Sequence, residues 1–231
     1  MINRTSLSKT VDAIHAAHFE GRDPGVVERR RAALWIAARQ GLPGAYGNTF
    51  AGFPSERAGI VLFTGERIAH ASARHILGEE TSRALRQLRV RDPEVNRALA
   101  AADEGLLRCL ARAAGHPRFI NPGLFCCGKC SVGLWRNLLA GGIDRQEERL
   151  QQGAAHLRTM RKGAAQWRTF PFWYTVLALS EMGNAPAVAE LKYAEPELTR
   201  VAKRPAPSSP YARRRHELAV RTLNRLQRGG A

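Results

Sequence analysis

Long apolar runs are missing from this 231-residue chain. No window reaches the ~18 uninterrupted apolar residues that a membrane-spanning helix needs. The segment Met1 to Gly21 mixes polar and apolar side chains and lacks the apolar core of a signal peptide, so a cytoplasmic protein is expected. Strand patterns are scarce, and only the stretch 59–63 (Gly-Ile-Val-Leu-Phe) reads as extended. Walker and Rossmann glycine loops, a Gly-x-Ser-x-Gly elbow and a His-Glu-x-x-His pair are all absent. So are the RNA-recognition and C₂H₂ finger signatures, which leaves no single motif that names a chemistry. Lysine is nearly missing too; Lys9, Lys129, Lys162, Lys192 and Lys203 are the only five.

What the chain does hold is arginine. It supplies nearly all of a formal net charge of +16. From Arg200 to Ala231, nine basic residues face one acid, Glu217, which puts half of that charge in the last stretch of chain. Such density attracts phosphate, nucleic acid or another polyanion, and it also arises where exposed helix faces are simply written in arginine.

Helix punctuation recurs. Asp23-Pro24, Asp92-Pro93, Asn121-Pro122 and Ser209-Pro210 each place a capping side chain before a proline, and Asp144 with Glu147 has capping-box spacing. Glycines at 41, 141, 163, 183 and 229 read as stops. The pattern predicts nine helices over 6–19, 24–40, 68–88, 93–113, 122–139, 145–161, 170–182, 186–203 and 210–228. Those at 24–40, 93–113 and 145–161 carry many charges, whereas 122–139 and 170–182 are much more apolar and 68–88 has an Ala/Ile/Leu stripe. A helix apolar all round is buried, so the alternation predicts outer and inner helices paired as hairpins with a period of roughly 50 residues. The fold class expected is all-α, with stacked helical hairpins. Residues 1–203 form the hairpin domain, and 204–231 form a proline-containing linker and a basic terminal helix. The loop from Gly41 to Gly65, rich in Gly, Pro and aromatics, is long enough to be functional.

The segment from Glu148 to Met182 resembles one repeat of the prenyltransferase and terpene-cyclase α/α-toroid superfamily. In those repeats an outer helix ends in a Gln-x-x-x-Gly-x-Trp turn and an inner helix follows. Gly153, Leu157 and Trp167 fall at that spacing; Arg161 stands in place of Gln, Ala165 in place of Gly and His156 in place of an aromatic. The resemblance implies a partial α/α toroid. The acidic DxDD and DDxxD motifs of terpene cyclases are absent, so no activity is implied.

Three clusters carry chemistry. Cys127-x-x-Cys130 has the bite of a zinc site, with Cys109 and His116 as the nearest candidates for a second pair. Near a helix N-terminus these thiols could instead be reactive, and small soft cysteines also pack in cores. His75 and Glu79 are i,i+4 on one helix face and suit an acid/base pair or metal ligands, with Arg67 and Arg74 able to receive an anion. The segment 167–174 (Trp-Arg-Thr-Phe-Pro-Phe-Trp-Tyr) is the densest aromatic cluster, in which Arg168 and Tyr174 could line a ligand pocket. Each of the last two clusters equally suits an ordinary surface or packing role. The leading expectation is a pocket at inner-helix N-termini for a small apolar or anionic ligand, with a zinc cofactor and catalysis open. The alternatives are nucleic-acid binding through the arginine-rich C-terminal face, and a helical scaffold without chemistry.

Overall fold

The computed structural model describes residues 1–114, 116, 120–205 and 207–228. Among them the chain folds into nine α-helices and two small two-stranded ribbons, an all-α architecture. The helices are α1 (Leu7–Phe19), α2 (Val26–Ala37), α3 (Ala71–Leu88), α4 (Pro93–Ala114), α5 (Gly128–Gly141), α6 (Gln146–Met160), α7 (Phe172–Glu181), α8 (Ala185–Ala202) and α9 (Pro210–Arg228). Strand β1 (Gly59–Val61) pairs antiparallel with β2 (Arg67–Ala69), and β3 (Arg161–Lys162) with β4 (Gln166–Trp167). No helix is long and apolar enough to cross a membrane among the described residues.

The apolar helices form the inner layer. α5 packs between α3 and α7; α2 and α4 lie on α3, α6 lies on α5, and α8 bridges α6, α7 and α9. Every residue of α5 from Cys130 to Leu138 is buried, as is every residue of α7 from Trp173 to Leu179. Burying a side chain such as Leu134 or Val176 contributes about 1.5–3 kcal/mol, so these stretches can only be interior. The close approach of α3 and α5 depends on Gly133, where a Cβ would collide with Glu79 Oε2 and meet Ile76 at 3.3 Å.

Two helix starts differ from the sequence expectation. α5 begins at Gly128, not near Pro122. Asn121 Oδ1 accepts the Gly123 amide at 2.8 Å, closing a turn, and Trp135 Nε1 donates to the Gly123 carbonyl at 2.7 Å. The Gly123 backbone then presses on α6 at Gly153, where no side chain would fit. α3 begins at Ala71 because Arg67–Ala69 is taken up as a strand, and His70 turns the corner with φ 61°. Ser209 does cap α9, its hydroxyl accepting the Ala212 amide at 3.3 Å. The stop expected at Gly229 lies outside the described residues.

The inner layer also holds a charge network. The Glu80 carboxylate accepts from Arg136 Nε at 2.6 Å, lies 3.3 Å from His15 Nδ1 and accepts from the Tyr174 hydroxyl. Glu181 pairs with Arg136 at 2.9 Å and with Arg83 at 3.0 Å, closing the network at the far end of α7. α9 joins the body through its arginines. Arg214 pairs with Asp12 at 2.6 Å, Arg215 donates to the Thr64 carbonyl at 2.5 Å, and Arg221 donates to the Phe19 carbonyl at 2.7 Å.

Candidate metal centre

The late start of α5 makes the centre. Residues 124–127 arrive extended or turned, Cys126 adopts φ 59°, and Cys127 becomes the N-cap residue of α5. Cys130 then sits in the first turn, fully buried, facing α3. From α3, His75 brings Nδ1 to 3.5 Å from Cys130 Sγ, and Ser72 brings its hydroxyl to 3.6 Å from Cys127 Sγ. Cys127 and Cys130 have their sulfurs 3.6 Å apart. One ligand atom each from His75, Cys126 and Cys130 lies within 4.8 Å of the other two. The start of α7 lies beside the same point: a Cβ on Gly128 would stand 2.7 Å from the Thr169 carbonyl. The first turns of α3 and α5 and the residues leading into α7 therefore lie beside this cluster.

The electrostatics follow from burial and from crowding of sulfurs. Desolvation lowers His75 to about 4, so its imidazole is neutral at neutral pH, the form that donates a lone pair to a metal. Cys127 is held well below the ordinary thiol range by hydrogen bonds from Cys126 and Cys130, helped by the Cys130 amide and Ser72. Cys130 is pushed far up by the same sharing, and Cys126 upward chiefly through its bond to Cys127. All four cysteines of the chain are free thiols.

A cleft of about 320 Å³ opens beside the set, lined among others by Phe125, Cys126, Cys127, Met160, Thr169 and Phe170. Cys126 and Cys127 are exposed to it, while Cys130 and His75 are buried behind them. On the inner side Tyr46 lies against the His75 ring, centroids 3.7 Å apart, and Phe125 completes the wall at 5.9 Å.

The residues singled out from sequence fall in different places. His75, Cys127 and Cys130 come together. Glu79, one turn on from His75, is buried at 1 % exposure with neither carboxylate oxygen hydrogen-bonded. Burial raises its pKa well above the usual carboxylate range, with Glu80, Cys127 and Cys109 adding to the rise. Cys109, on α4, lies outside the His75/Cys126/Cys130 group, its sulfur accepting from Arg112 Nη2 at 3.1 Å. His116 follows the end of α4, its amide on the Ala113 carbonyl at 2.9 Å. Arg67 lies on β2 beside a separate cleft with Lys9 and Tyr211. Arg168 is exposed and donates to the Thr159 carbonyl at 3.1 Å. Tyr174 is fully buried and spends its hydroxyl on Glu80. Two contributors were not assigned a role from sequence. Cys126 joins the triad because of where α5 starts, and Tyr46 comes from the 41–65 loop, whose length and aromatic content are the signals. No family model, curated protein or solved structure matches the chain.

Proposed function

We propose that this chain binds a transition-metal ion, zinc first, through His75, Cys126 and Cys130, and presents its remaining coordination position to a small ligand in the adjoining cleft. The observation that carries the reading is the closeness of the three donor atoms, all within 4.8 Å of one another. Their chemistry fits: two cysteine sulfurs, which give up their protons as the metal binds, and one neutral imidazole are a borderline-soft set that suits zinc. The spacing fits as well. Bond lengths of about 2.3 Å to sulfur and about 2.0–2.1 Å to nitrogen give a tetrahedral S–N edge of about 3.6 Å. His75 Nδ1 and Cys130 Sγ are already 3.5 Å apart. Three protein ligands leave one tetrahedral position for a water or a ligand atom, the arrangement in which zinc acts as a Lewis acid. The cleft would receive a ligand with an apolar body against Phe125, Met160 and Phe170.

The test is a competition titration of the full, reduced chain against a chromogenic zinc chelator. One zinc per chain is expected, with His75→Ala and Cys130→Ser each abolishing the site and Cys109→Ser leaving it intact. A chain that takes no zinc from the chelator, or one whose binding survives loss of His75, overturns the reading.

A further inference from the structure

Cys127 is the one sulfur of the set that the proposed metal does not need, and its position points to a second activity. Its side chain is exposed at the head of α5, while Cys130, one helical turn later, is 0 % exposed. The two sulfurs are in van der Waals contact at 3.6 Å. The cleft of about 320 Å³ reaches Cys127, and the Ser72 hydroxyl stands 3.6 Å from the same sulfur on the α3 side. An accessible sulfur backed by a buried partner is the arrangement in which one thiol meets a disulfide and the other resolves the product.

We infer that the metal-free chain exchanges thiols with a low-molecular-weight disulfide, Cys127 attacking and Cys130 resolving, and that metal binding and exchange exclude one another. In the first step the Cys127 sulfur bonds to one sulfur of the small disulfide. The S–S bond of that molecule breaks, and its other half leaves as a thiolate that takes up the proton Cys127 gave to water. In the second step Cys130 Sγ bonds to Cys127 Sγ and the mixed disulfide breaks. The departing thiolate takes up the Cys130 proton. Two protein thiols are oxidised to one disulfide, and one small disulfide is reduced to two thiols. The cleft's size suits a peptide-sized or smaller disulfide rather than a folded protein.

Exclusivity comes from Cys130. A sulfur in a disulfide has lost the thiolate lone pair that a metal requires, so cross-linking removes one of the three ligands. This part alone rests on the metal reading above; the exchange itself stands on the two sulfurs and the cleft.

The experiment treats the full chain, stripped of metal with a chelator, with excess oxidised glutathione and maps the products by mass spectrometry. The expected result is loss of two of the four free thiols and a Cys127–Cys130 cross-link. Cys130→Ser should stop at a single glutathione on Cys127, and Cys127→Ser should give no cross-link. Retention of all four thiols, or glutathione collecting on Cys126 with no Cys127–Cys130 bond, overturns the exchange. Zinc-saturated protein should cross-link about tenfold more slowly or less. If zinc titrates onto the chain yet leaves the rate unchanged, the exclusivity is wrong. If zinc fails to bind while the cross-link forms, the metal reading falls and the exchange stands. Cys127→Ser should still bind one zinc, which separates the two roles of the cluster in a single variant.

Discussion

Glu79 and Glu80 are neighbours on α3, equally interior, and they live in opposite chemistries. Glu80 accepts from Arg136 and Tyr174, has His15 Nδ1 at 3.3 Å, and has its pKa held down at about 2. Burial opposes that charge, and Arg136 and His15 outweigh it. Glu79 has no donor; both its oxygens are buried without a partner, and burial pushes its pKa well above the usual carboxylate range. One residue of rotation about α3 turns Glu80 toward α1 and the Arg136 face of α5. It turns Glu79 toward Gly133 and the sulfur cluster. The difference teaches what decides the state of a buried acid in this fold. Cationic partners hold Glu80 as a carboxylate, whereas burial beside the cysteines without a partner pushes Glu79 toward its protonated form.

The sharpest way to break this comparison is to neutralise each acid in turn. Glu80→Gln leaves Arg136 and Arg83 with Glu181 alone. Such uncompensated buried charge costs about 3–5 kcal/mol, read as a lower urea midpoint. Glu79→Gln at neutral pH should instead raise stability, because it removes the cost of keeping a buried carboxyl protonated above its ordinary range and breaks no pair. Equal losses from the two variants would mean that Glu79 has a partner after all.

Next in size is Gly133→Ala, whose methyl group would collide with Glu79 Oε2. Overpacking of this kind costs about 1–3 kcal/mol. The double variant with Glu79→Ala should recover part of it, and thermal unfolding of the three chains checks this.

The pH dependence sharpens the comparison further, because the two acids contribute with opposite sign. Glu80 is depressed from 4.5 to about 2, so its contribution is whole above pH 4.5 and fades as pH falls toward 2. His15 is lowered from 6.5 to about 3 by burial, with Glu80 opposing the fall. Below pH 6.5 the unfolded chain takes up a proton that the folded chain refuses, so stability falls there too. Glu79 is raised above 4.5, so the fold keeps a proton that the unfolded chain loses, and stability declines as pH rises above 4.5. Unfolding of metal-free protein across pH 3 to 8 should therefore give a maximum with losses on both sides. Glu79→Gln should remove the alkaline loss and keep the acid one. The smallest effect expected is from Cys109→Ser, which sits outside the triad and should shift stability by about 1 kcal/mol or less.

Much of this architecture is legible along the chain. The uncharged run from Phe170 to Ser180 could only be interior, and the charged helices could only be exterior. Local punctuation fails where tertiary contacts compete for it. Asn121-Pro122 has the chemistry of a helix start, yet the same amide cap closes a turn when Trp135 and Gly153 hold the backbone against α6. That delay decides which cysteine neighbours which, and no spacing rule contains it. The i,i+4 relation of His75 and Glu79 is correct as helix geometry, but α5 divides them: His75 meets Cys130 and Glu79 meets Gly133. Tyr174 has an aromatic's affinity for a pocket and a buried acid's need for a donor, and the acid has it. The C-terminal arginines look free in sequence. In the fold Arg200, Arg214 and Arg221 are paired with acids, and Arg215 and Arg225 donate to backbone carbonyls.

The central claim is that His75, Cys126 and Cys130 close on one ion. Its most direct test is the absorption spectrum of the full, reduced chain loaded with one equivalent of Co²⁺ in place of zinc. The account predicts the intense visible bands of a tetrahedral ion together with thiolate-to-cobalt charge transfer, both lost in Cys126→Ser/Cys130→Ser. A weak, octahedral aquo-ion spectrum, unchanged by that double substitution, would contradict it.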